Sequence, residues 1–335
     1  MTQSYRTKNI NSFLNKSKVI NFKFNGKSYQ GYEGDTLASA LIANGIHLVG
    51  RSFKYHRPRG FMGVGVEEPN AMVQLHEGDR SEPNIIATEV ELVEGLIANS
   101  QNCWPSVKFD IGEVNNLLNR FFPAGFYYKT FMWPKSFWMK IYEPIIRRAA
   151  GMGVASLTPD PDRYEHNYEH CDVLVVGSGP SGLASALAAA NNGAKVILAE
   201  DKVHFGGSLL TDEVTINNKP GKEWVEETIK HLRSLPNVIL KSRSQVFGYY
   251  DHNMTVMFER VSDHIENPSK YTPRQRLHYI RAGEVIISTG SIERPLSFGN
   301  NDRPGIFLAS AANEYMKIYE TLVGKNPIIF TNNDT

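Results

Sequence analysis

The chain has only two cysteines, Cys103 and Cys171, among its 335 residues. Two cysteines cannot form the disulfide framework of a small secreted domain, and alone they cannot ligate an iron–sulfur cluster or a structural zinc ion. The ten histidines show no H-E-x-x-H or comparable metal spacing. We therefore expect no metal site. Because low cysteine use suits a reducing compartment, we expect a cytoplasmic location.

Long apolar runs and a strong charge imbalance are also missing. No stretch reaches the roughly 18 uncharged apolar residues of a membrane-spanning helix, and the polar residues 1–15 lack the apolar core of a signal peptide. The 36 basic and 35 acidic residues leave a net charge of +1, although residues 1–60 are locally basic. We expect neither a membrane nor a nucleic acid as partner.

Composition divides the chain into four segments, and at about 150 residues per domain the length suits two domains. We predict a flexible N-terminus over residues 1–17 and a small α+β unit over residues 18–100. An aromatic- and proline-rich connector over residues 101–168 leads to an α/β unit over residues 169–335.

The first unit opens with a hairpin pattern. Apolar and polar residues alternate over Lys18–Phe24, and Asn25-Gly26 is the dipeptide most favoured in a type I′ turn. Lys27–Tyr32 would be the returning strand. Apolar residues then follow helical spacing over Leu37–Asn44, before Gly45 as a C-terminal cap. A hairpin followed by a helix predicts a β-grasp, ferredoxin-like domain.

The second unit opens with a βαβ pattern of about 30 residues, the size typical of such units. Asp172–Val176 suits a buried parallel strand, Leu183–Asn191 favours a helix, and Lys195–Ala199 is the next strand. Further elements are predicted at helix Lys222–Leu235 and strands Asn237–Lys241, Ser244–Tyr250, Thr255–Val261, Leu277–Arg281, Glu284–Ser288 and Pro327–Phe330. Together they predict a Rossmann-type dinucleotide-binding domain with an inserted β-meander.

Between the first strand and helix lies a glycine fingerprint, Gly177-Ser178-Gly179-Pro180-Ser181-Gly182. In such a motif Gly177 permits the tight turn, Gly179 lets the backbone approach a pyrophosphate, and Gly182 allows close packing of helix on strand. The phosphates would lie at the helix N-terminus. The alternative is a glycine turn in an α/β protein that binds no nucleotide.

Glu200 and Asp201 follow the second strand, where an acidic residue binds the ribose hydroxyls and repels a 2′-phosphate. This favours NAD or FAD over NADP. Gly206-Gly207-Ser208 resembles a second glycine turn beside the cofactor, and Ser288-Thr289-Gly290 resembles the Ala-Thr-Gly segment of flavoprotein-type domains. Either segment could instead be an ordinary loop. The predicted cofactor-binding residues are Gly177, Ser178, Gly179, Pro180, Ser181, Gly182, Glu200, Asp201, Gly206, Gly207, Ser208, Thr289 and Gly290.

Two further runs allow several interpretations. Arg51–Gly60 is basic with interleaved aromatic residues, and suits a solvated loop, a contact to an anion or flavin phosphate, or a docking surface. Residues 121–142 contain ten aromatic side chains, which suits an interdomain core, a subunit interface or, more remotely, a membrane surface.

These residues together resemble the alpha subunits of heterotetrameric sarcosine oxidases. The resemblance rests on Gly34-Asp35-Thr36-Leu37-Ala38-Ser39-Ala40-Leu41, Arg51 to Gly60, Glu67-Glu68-Pro69-Asn70-Ala71, Ser100-Gln101-Asn102, Trp104-Pro105-Ser106 and the glycine motif at 177–182. The family members are far longer and continue into a folate-binding domain. The resemblance therefore implies an N-terminal portion that ends before that domain.

The resemblance implies a division of labour among beta, gamma and delta partner subunits. Sarcosine would be oxidised on an FAD of the beta subunit, and electrons would pass through an FMN near the alpha–beta interface to oxygen, giving peroxide. The released one-carbon unit would be captured by tetrahydrofolate in the missing C-terminal part. The region present here resembles the part that binds NAD tightly, so we assign no catalytic residue to it.

Relatives of the first unit in amine and opine oxidoreductases hold a [2Fe–2S] cluster in a loop resembling C-G-x-G-x-C-x-x-C. Here that frame places Met62, Glu67 and Asn70 at ligand positions, with the fourth near Ile86 or Ala87. Without thiolates a cluster cannot be held, so we expect a cluster-free domain kept for structure or docking.

Two other functions compete with the sarcosine oxidase hypothesis. One is the FAD-binding subunit of an amine or opine dehydrogenase, which the missing cluster cysteines oppose. The other is a non-catalytic docking module, which the intact glycines and Glu200 oppose.

Overall fold

A computed structural model describes residues 3–7, 13–121, 125 and 131–332 of the chain. It forms two compact units. Unit 1 comprises Met1–Pro161 together with Glu293–Thr335, and unit 2 comprises Asp162–Ile292. The sequence boundaries fall elsewhere, since they place residues 293–335 with the dinucleotide-binding fold. The structure groups them with unit 1 because Leu308, Ala311 and Tyr315 are part of its hydrophobic core.

Unit 1 contains seven described strands and four described α-helices. The strands are β1 (Asn15–Phe24), β2 (Lys27–Glu33), β3 (Gly50–Arg51), β4 (Pro58–Arg59), β5 (Met72–Leu75), β6 (Glu82–Ile86) and β7 (Ile97–Ser100). The helices are α1 (Leu37–Ala43), α2 (Val114–Leu117), α3 (Glu143–Ala149) and, near the C-terminus, α6 (Ala309–Tyr319). Short 3-10 turns occur at Gly65–Glu67, Gly78–Arg80, Ile111–Glu113, Asn119–Phe121 and Lys135–Phe137, and a π-helical turn at Trp138–Tyr142.

The main sheet of unit 1 has the order β2-β1-β7-β5-β6. β1 pairs antiparallel with β2 through the predicted hairpin and parallel with β7. Helix α1 begins after Thr36, whose side chain caps it by accepting a hydrogen bond from the Ser39 N–H. All seven residues of α1 are buried, which places it against the sheet as the predicted β-grasp arrangement requires.

The three arginines of the basic run at 51–59 form ion pairs within unit 1. The buried Arg51 guanidinium pairs with Glu113 at 2.9 Å and donates to the Val107 carbonyl. Arg57 and Arg59 both pair with Asp302. These ion pairs favour a structural role for the three arginines over an anion-binding one, because each guanidinium already contacts a carboxylate, although Arg57 and Arg59 share one.

The aromatic run at 121–142 is described only in part, and Phe122, Tyr127 and Tyr128 lie outside the described residues. Trp133 is 83% exposed and Met139 71% exposed. Across the described residues, no helix is both long and apolar enough to cross a bilayer.

Unit 2 contains eight strands and two α-helices. The strands are β8 (Tyr164–Val176), β9 (Val196–Ala199), β10 (Thr215–Ile216), β11 (Lys219–Pro220), β12 (Val238–Lys241), β13 (Ser244–Tyr250), β14 (Met254–Arg260) and β15 (Gln275–Ile287). The helices are α4 (Pro180–Asn191) and α5 (Gly221–Ser234), with 3-10 turns at Gly207–Leu210 and Asp251–Asn253.

The sheet of unit 2 has the order β12-β9-β8-β15-β14-β13. β12, β9, β8 and β15 are parallel, whereas β15, β14 and β13 form the predicted antiparallel meander. The βαβ unit predicted at the glycine fingerprint is confirmed as β8, α4 and β9. Leu183, Ala186 and Ala190 of α4 pack into the core beneath the sheet.

Three predictions about strands are wrong. Leu277–Arg281 and Glu284–Ser288 are not separate, because β15 runs unbroken and pairs with β8 along its length. For the same reason β8 begins at Tyr164, inside the predicted connector. Pro327–Phe330 is not a strand in the described chain. Ile328 in this segment is 95% exposed. The apolar pattern predicted a strand, but a strand also needs a neighbouring strand to pair with.

Candidate dinucleotide-binding site

Two glycines of the fingerprint are required by the packing of unit 2. Gly177 has φ of +94°, and a Cβ there would lie 2.4 Å from the Ser288 carbonyl oxygen. A Cβ on Gly182 would lie 2.0 Å from the Gly177 carbonyl oxygen. Both distances are far below van der Waals contact, so only glycine lets α4 start this close to β8 and β15.

Gly179 differs from these two glycines. A Cβ at this position would meet no atom within 4 Å, and its φ of −64° is open to any residue. Gly179 is the N-cap of α4, no side chain caps this end, and the first turn holds no acidic residue. The space before Gly179 and the helix N-terminus together suit an anionic group such as a pyrophosphate.

Glu200 directly follows β9 and is 6% exposed. Its Oε2 accepts a hydrogen bond from the Ser178 N–H at 3.0 Å and another from the Ser178 hydroxyl. Its Oε1 accepts from the Lys202 N–H at 3.1 Å. The acidic residue that the sequence assigns to a ribose is thereby held against the glycine turn.

The environment of Glu200 disfavours its charge. Burial raises the pKa of Glu200 to about 7, and the neighbouring Asp201 carboxyl contributes in the same direction. The bonds from Ser178 and Lys202 oppose this shift of the pKa. The charge of Glu200 is therefore sensitive to pH near neutrality, so the pH should affect how well it accepts hydrogen bonds from ribose hydroxyls.

The second glycine turn also reaches the fingerprint. The Gly206 N–H donates to the Ser178 hydroxyl at 3.0 Å, so Ser178 lies between Gly206 and Glu200. A Cβ on Gly207 would lie 2.9 Å from the Gly179 Cα. Ser208 is exposed beside this turn. The Gly206-Gly207 segment is thus part of the same surface rather than an unrelated loop.

The segment after β15 completes this edge of the sheet. The Ser288 N–H donates to the Val176 carbonyl at 2.7 Å, and Thr289 and Gly290 beyond it are exposed. Because β8, β9 and β15 are parallel, their carboxyl ends meet at one edge, which is where open α/β sheets bind ligands.

The structure brings most of the predicted site residues to this edge of the sheet. Asp201 contributes its carbonyl to Arg260 at 2.7 Å, and its carboxyl acts on the pKa of Glu200. Sequence reasoning missed the Lys202 N–H, because a backbone donor leaves no signature in residue type. Pro180 and Ser181 form the exposed first turn of α4.

The residues at the cluster frame of unit 1 do not fit an iron–sulfur cluster. Met62, Glu67 and Asn70 offer no thiolate, and Ala87 is fully buried. Within the described ranges, no group of three or more His, Cys, Asp or Glu residues is placed to hold a metal ion. Cys171 is instead a buried core residue, and burial raises the pKa of its thiol to about 11.

Two family descriptions match parts of the chain. Residues 17–103 match the family of the "2Fe-2S iron-sulfur cluster binding domain", and residues 172–238 match "FAD dependent oxidoreductase". The first match agrees with the β-grasp arrangement of unit 1, although Cys103 is the one cysteine within the matched residues. The second match covers the glycine fingerprint and Glu200.

Longer relatives match nearly the whole chain. A sarcosine oxidase subunit alpha from Rhizobium meliloti (strain 1021) is 53% identical over 96% of the chain. The chain is homologous to sarcosine oxidase alpha subunits. A second sarcosine oxidase subunit alpha, from Corynebacterium sp. (strain P-1), is 33% identical over 96% of the chain. The chain spans 33% and 29% of the lengths of these two relatives, about a third of each.

A solved structure has a similar fold. L-proline dehydrogenase from P. horikoshii matches with a TM-score of 0.58 and 20% identity, covering 92% of this chain and 48% of that one. With the sarcosine oxidase relatives, this match identifies an oxidoreductase-type fold with mixed α/β sheets.

Proposed function

We propose that this chain is the dinucleotide-binding region of a sarcosine oxidase-type alpha subunit. The observation that carries the proposal is the similarity to sarcosine oxidase alpha subunits over 96% of the chain. The site geometry in unit 2 supports it. Gly179 and the uncapped start of α4 suit the pyrophosphate, and the Glu200 carboxyl suits the ribose hydroxyls.

We assign NAD as the dinucleotide, as the resemblance to the sarcosine oxidase family implies. FAD is the second candidate, because the description of the family that matches residues 172–238 names it. The fingerprint suits both, since each contains a pyrophosphate and an adenosine ribose. Glu200 disfavours NADP, because a buried acidic side chain repels a 2′-phosphate.

Either dinucleotide supplies hydride-transfer chemistry when bound. The residues of this chain contribute binding and orientation. The backbone at Gly177–Gly182 would hold the phosphates, and Ser178 fixes the Glu200 carboxyl that would accept from the ribose hydroxyls. The turn at Gly206-Gly207 limits the space beside Gly179, because a Cβ on Gly207 would lie 2.9 Å from the Gly179 Cα.

In the whole enzyme, we propose that the chain supports oxidative demethylation of sarcosine, a CH–NH donor, to glycine. Flavins held by or with partner subunits would carry the oxidation, with oxygen reduced to peroxide. Beta, gamma and delta subunits are the proposed partners, and tetrahydrofolate would accept the one-carbon unit elsewhere in the longer subunit. One-carbon metabolism and a cytoplasmic location follow from the same proposal.

Co-expression of the full-length alpha subunit with its partner subunits tests this function. We expect the assembled complex to produce peroxide from sarcosine and to contain one dinucleotide per alpha subunit. Glu200→Gln should lower the dinucleotide content of the complex, and Glu226→Gln, an exposed change on α5, serves as its control. A complex that assembles with a bound dinucleotide but does not oxidise sarcosine would overturn the substrate while leaving the nucleotide site in place.

A further inference from the structure

The loop that would hold an iron–sulfur cluster in unit 1 surrounds a single buried carboxylate. Glu68 is 4% exposed, and each of its two oxygens accepts two backbone hydrogen bonds. Oε2 accepts from the N–H groups of Met62 at 2.7 Å and Gly63 at 2.8 Å. Oε1 accepts from those of Asn70 at 2.7 Å and Ala71 at 3.2 Å.

Two of these four donors belong to residues at the ligand positions of the cluster frame, namely Met62 and Asn70. In a cluster-binding loop the cysteines coordinate iron, and hydrogen bonds to the sulfurs tune an anionic centre. Backbone N–H groups that converge on one point favour an anion there. In this chain the converging N–H groups meet the Glu68 carboxylate instead.

The carbonyl groups of the same loop hold other elements of unit 1. The Met62 carbonyl accepts from the Leu308 N–H at 2.8 Å, directly before α6. The Gly63 carbonyl accepts from the hydroxyl of Tyr315, a fully buried residue of α6, at 3.1 Å. On the other side of the loop, the Thr88 hydroxyl donates to the Gly65 carbonyl at 2.6 Å. The conformation of the loop therefore determines where α6 can pack.

We propose that the Glu68 carboxylate replaces an iron–sulfur cluster as the anionic centre that organises residues 62–71, and that this loop anchors α6 through Leu308 and Tyr315. The domain then needs no iron to reach its folded form. All four of these inward-facing N–H groups have an acceptor, as buried backbone donors require.

Substitution of Glu68 by glutamine in the whole chain tests the first part of the proposal. The amide keeps one acceptor oxygen but turns an N–H₂ group toward two backbone donors. We expect Glu68→Gln to lower the melting temperature by roughly 4–8 °C. Hydrogen exchange at the amides of residues 62, 63, 70 and 71 should accelerate by roughly tenfold or more.

The matched control is Glu77→Gln, an exposed change in the same unit, which should leave both measurements unchanged. The proposal is overturned if Glu68→Gln has the melting temperature and the four exchange rates of the unchanged protein. Should Glu68→Gln not fold while Glu77→Gln does, the requirement for the carboxylate is supported. Exchange of the four amides in the unchanged protein then provides the independent check, since rapid exchange there would contradict the hydrogen bonds.

Tyr315→Phe tests the link between the loop and α6. This change removes only the hydroxyl that donates to Gly63, so we expect faster exchange within α6 while the four loop amides stay protected. Equal exchange in α6 would overturn the anchoring role. Anaerobic incubation with ferric iron and sulfide should give no visible cluster absorption, whereas stoichiometric uptake of iron and sulfide would contradict the replacement of the cluster by Glu68.

Discussion

The Ser178 N–H donates to the Glu200 carboxylate at 3.0 Å, which joins the glycine turn to the end of the neighbouring strand. The Ser178 hydroxyl extends this contact, because it donates to Glu200 and accepts from the Gly206 N–H. The first strand-to-helix turn and the two segments around residues 200 and 206 therefore share one hydrogen-bond network. A dinucleotide would meet a site whose parts are already held together.

Glu200→Gln should weaken dinucleotide binding. The amide keeps the size of the side chain but loses the charge that ribose hydroxyls favour, so affinity should fall by roughly tenfold to a hundredfold. Calorimetric titration of the nucleotide-free protein with NAD and with FAD measures this, with Glu226→Gln as the exposed control. Equal affinities of the two variants for the dinucleotide would show that Glu200 does not contribute to its binding.

The affinity of the unchanged protein for the dinucleotide should also depend on pH. Burial and the Asp201 carboxyl raise the pKa of Glu200 to about 7, so the carboxyl takes up a proton as the pH falls below that value. A protonated carboxyl accepts ribose hydroxyls less well. Binding should therefore strengthen as the pH rises from 6 to 8. Glu200→Gln should show a flatter profile, and identical profiles would contradict the assignment.

The two kinds of glycine in the fingerprint should respond differently to alanine. Gly182→Ala forces a Cβ to within 2.0 Å of the Gly177 carbonyl oxygen, so the fold should lose roughly 1–3 kcal/mol. Gly179→Ala meets no atom, so the fold should keep its stability while nucleotide affinity falls roughly tenfold. Thermal melting and titration of both variants measure the contrast. Unchanged affinity in Gly179→Ala would argue against a phosphate at this position.

A buried ion cluster in unit 2 should give the protein a pH-dependent stability. His278 is fully buried, with Nδ1 at 2.6 Å from Glu169 and Nε2 at 2.7 Å from Glu259. Both ring nitrogens donate to carboxylates, so the ring is an imidazolium. Burial lowers the pKa of His278, but the two hydrogen bonds outweigh it and raise the pKa overall.

The pKa of Glu259 moves in the opposite direction. Burial opposes its ionisation, yet the bond from His278, with Lys241 and Arg276 nearby, lowers the pKa of Glu259 to about 2. Its stabilising contribution is therefore present above its ordinary pKa of 4.5 and lost as the pH falls toward 2. The contribution of His278 is present below its ordinary pKa of 6.5 and lost as the pH rises past its raised folded value.

The cluster should thus stabilise the fold most at mildly acidic pH. His278→Asn should cost roughly 1–3 kcal/mol there, because it leaves two carboxylates without their donor. Urea unfolding between pH 4 and pH 9 measures this dependence, and the exposed His252→Asn is the control. A constant difference between the unchanged protein and His278→Asn across that range would show that the imidazolium is not the stabilising form.

A second buried ion pair should determine the stability of unit 1. The Asp35 carboxylate accepts from Arg6 at 2.7 Å, from the Tyr32 N–H at 2.9 Å and from the Ser39 hydroxyl at 2.6 Å. Asp35→Asn leaves the buried guanidinium uncompensated and should cost roughly 3–5 kcal/mol in unfolding free energy. Chemical denaturation measures the loss. The exposed Asp79→Asn should change it little, and similar losses in both would contradict a specific role for the pair.

Local patterns in the sequence predicted much of the fold. The hairpin at Asn25-Gly26, the helix after Thr36 and the βαβ unit at the fingerprint each depend on neighbouring residues, and each is present. The convergence of Gly177, Glu200 and Gly206 also follows from the sequence, because parallel strands bring their carboxyl ends together. Lys202 could not be predicted, since it contributes only its backbone.

The errors came from long-range pairing. The β8–β15 pair extends both strands beyond their apolar stretches, which no local pattern indicates. The grouping of α6 with unit 1 depends on the buried Tyr315 and on the pairing of Arg57 and Arg59 with Asp302. In the sequence, Glu68 is one of two adjacent acidic residues. Its four backbone hydrogen bonds depend on the folded loop, so the sequence could not predict them.

The most direct measurement is identification of the nucleotide that the purified protein releases on denaturation, by absorbance and mass. We predict NAD, with no flavin absorption at about 450 nm from this chain. Released FAD would contradict NAD and assign redox chemistry to this site, as in an amine or opine dehydrogenase. A folded protein that releases nothing and binds neither dinucleotide on titration would contradict the site itself and favour a docking module.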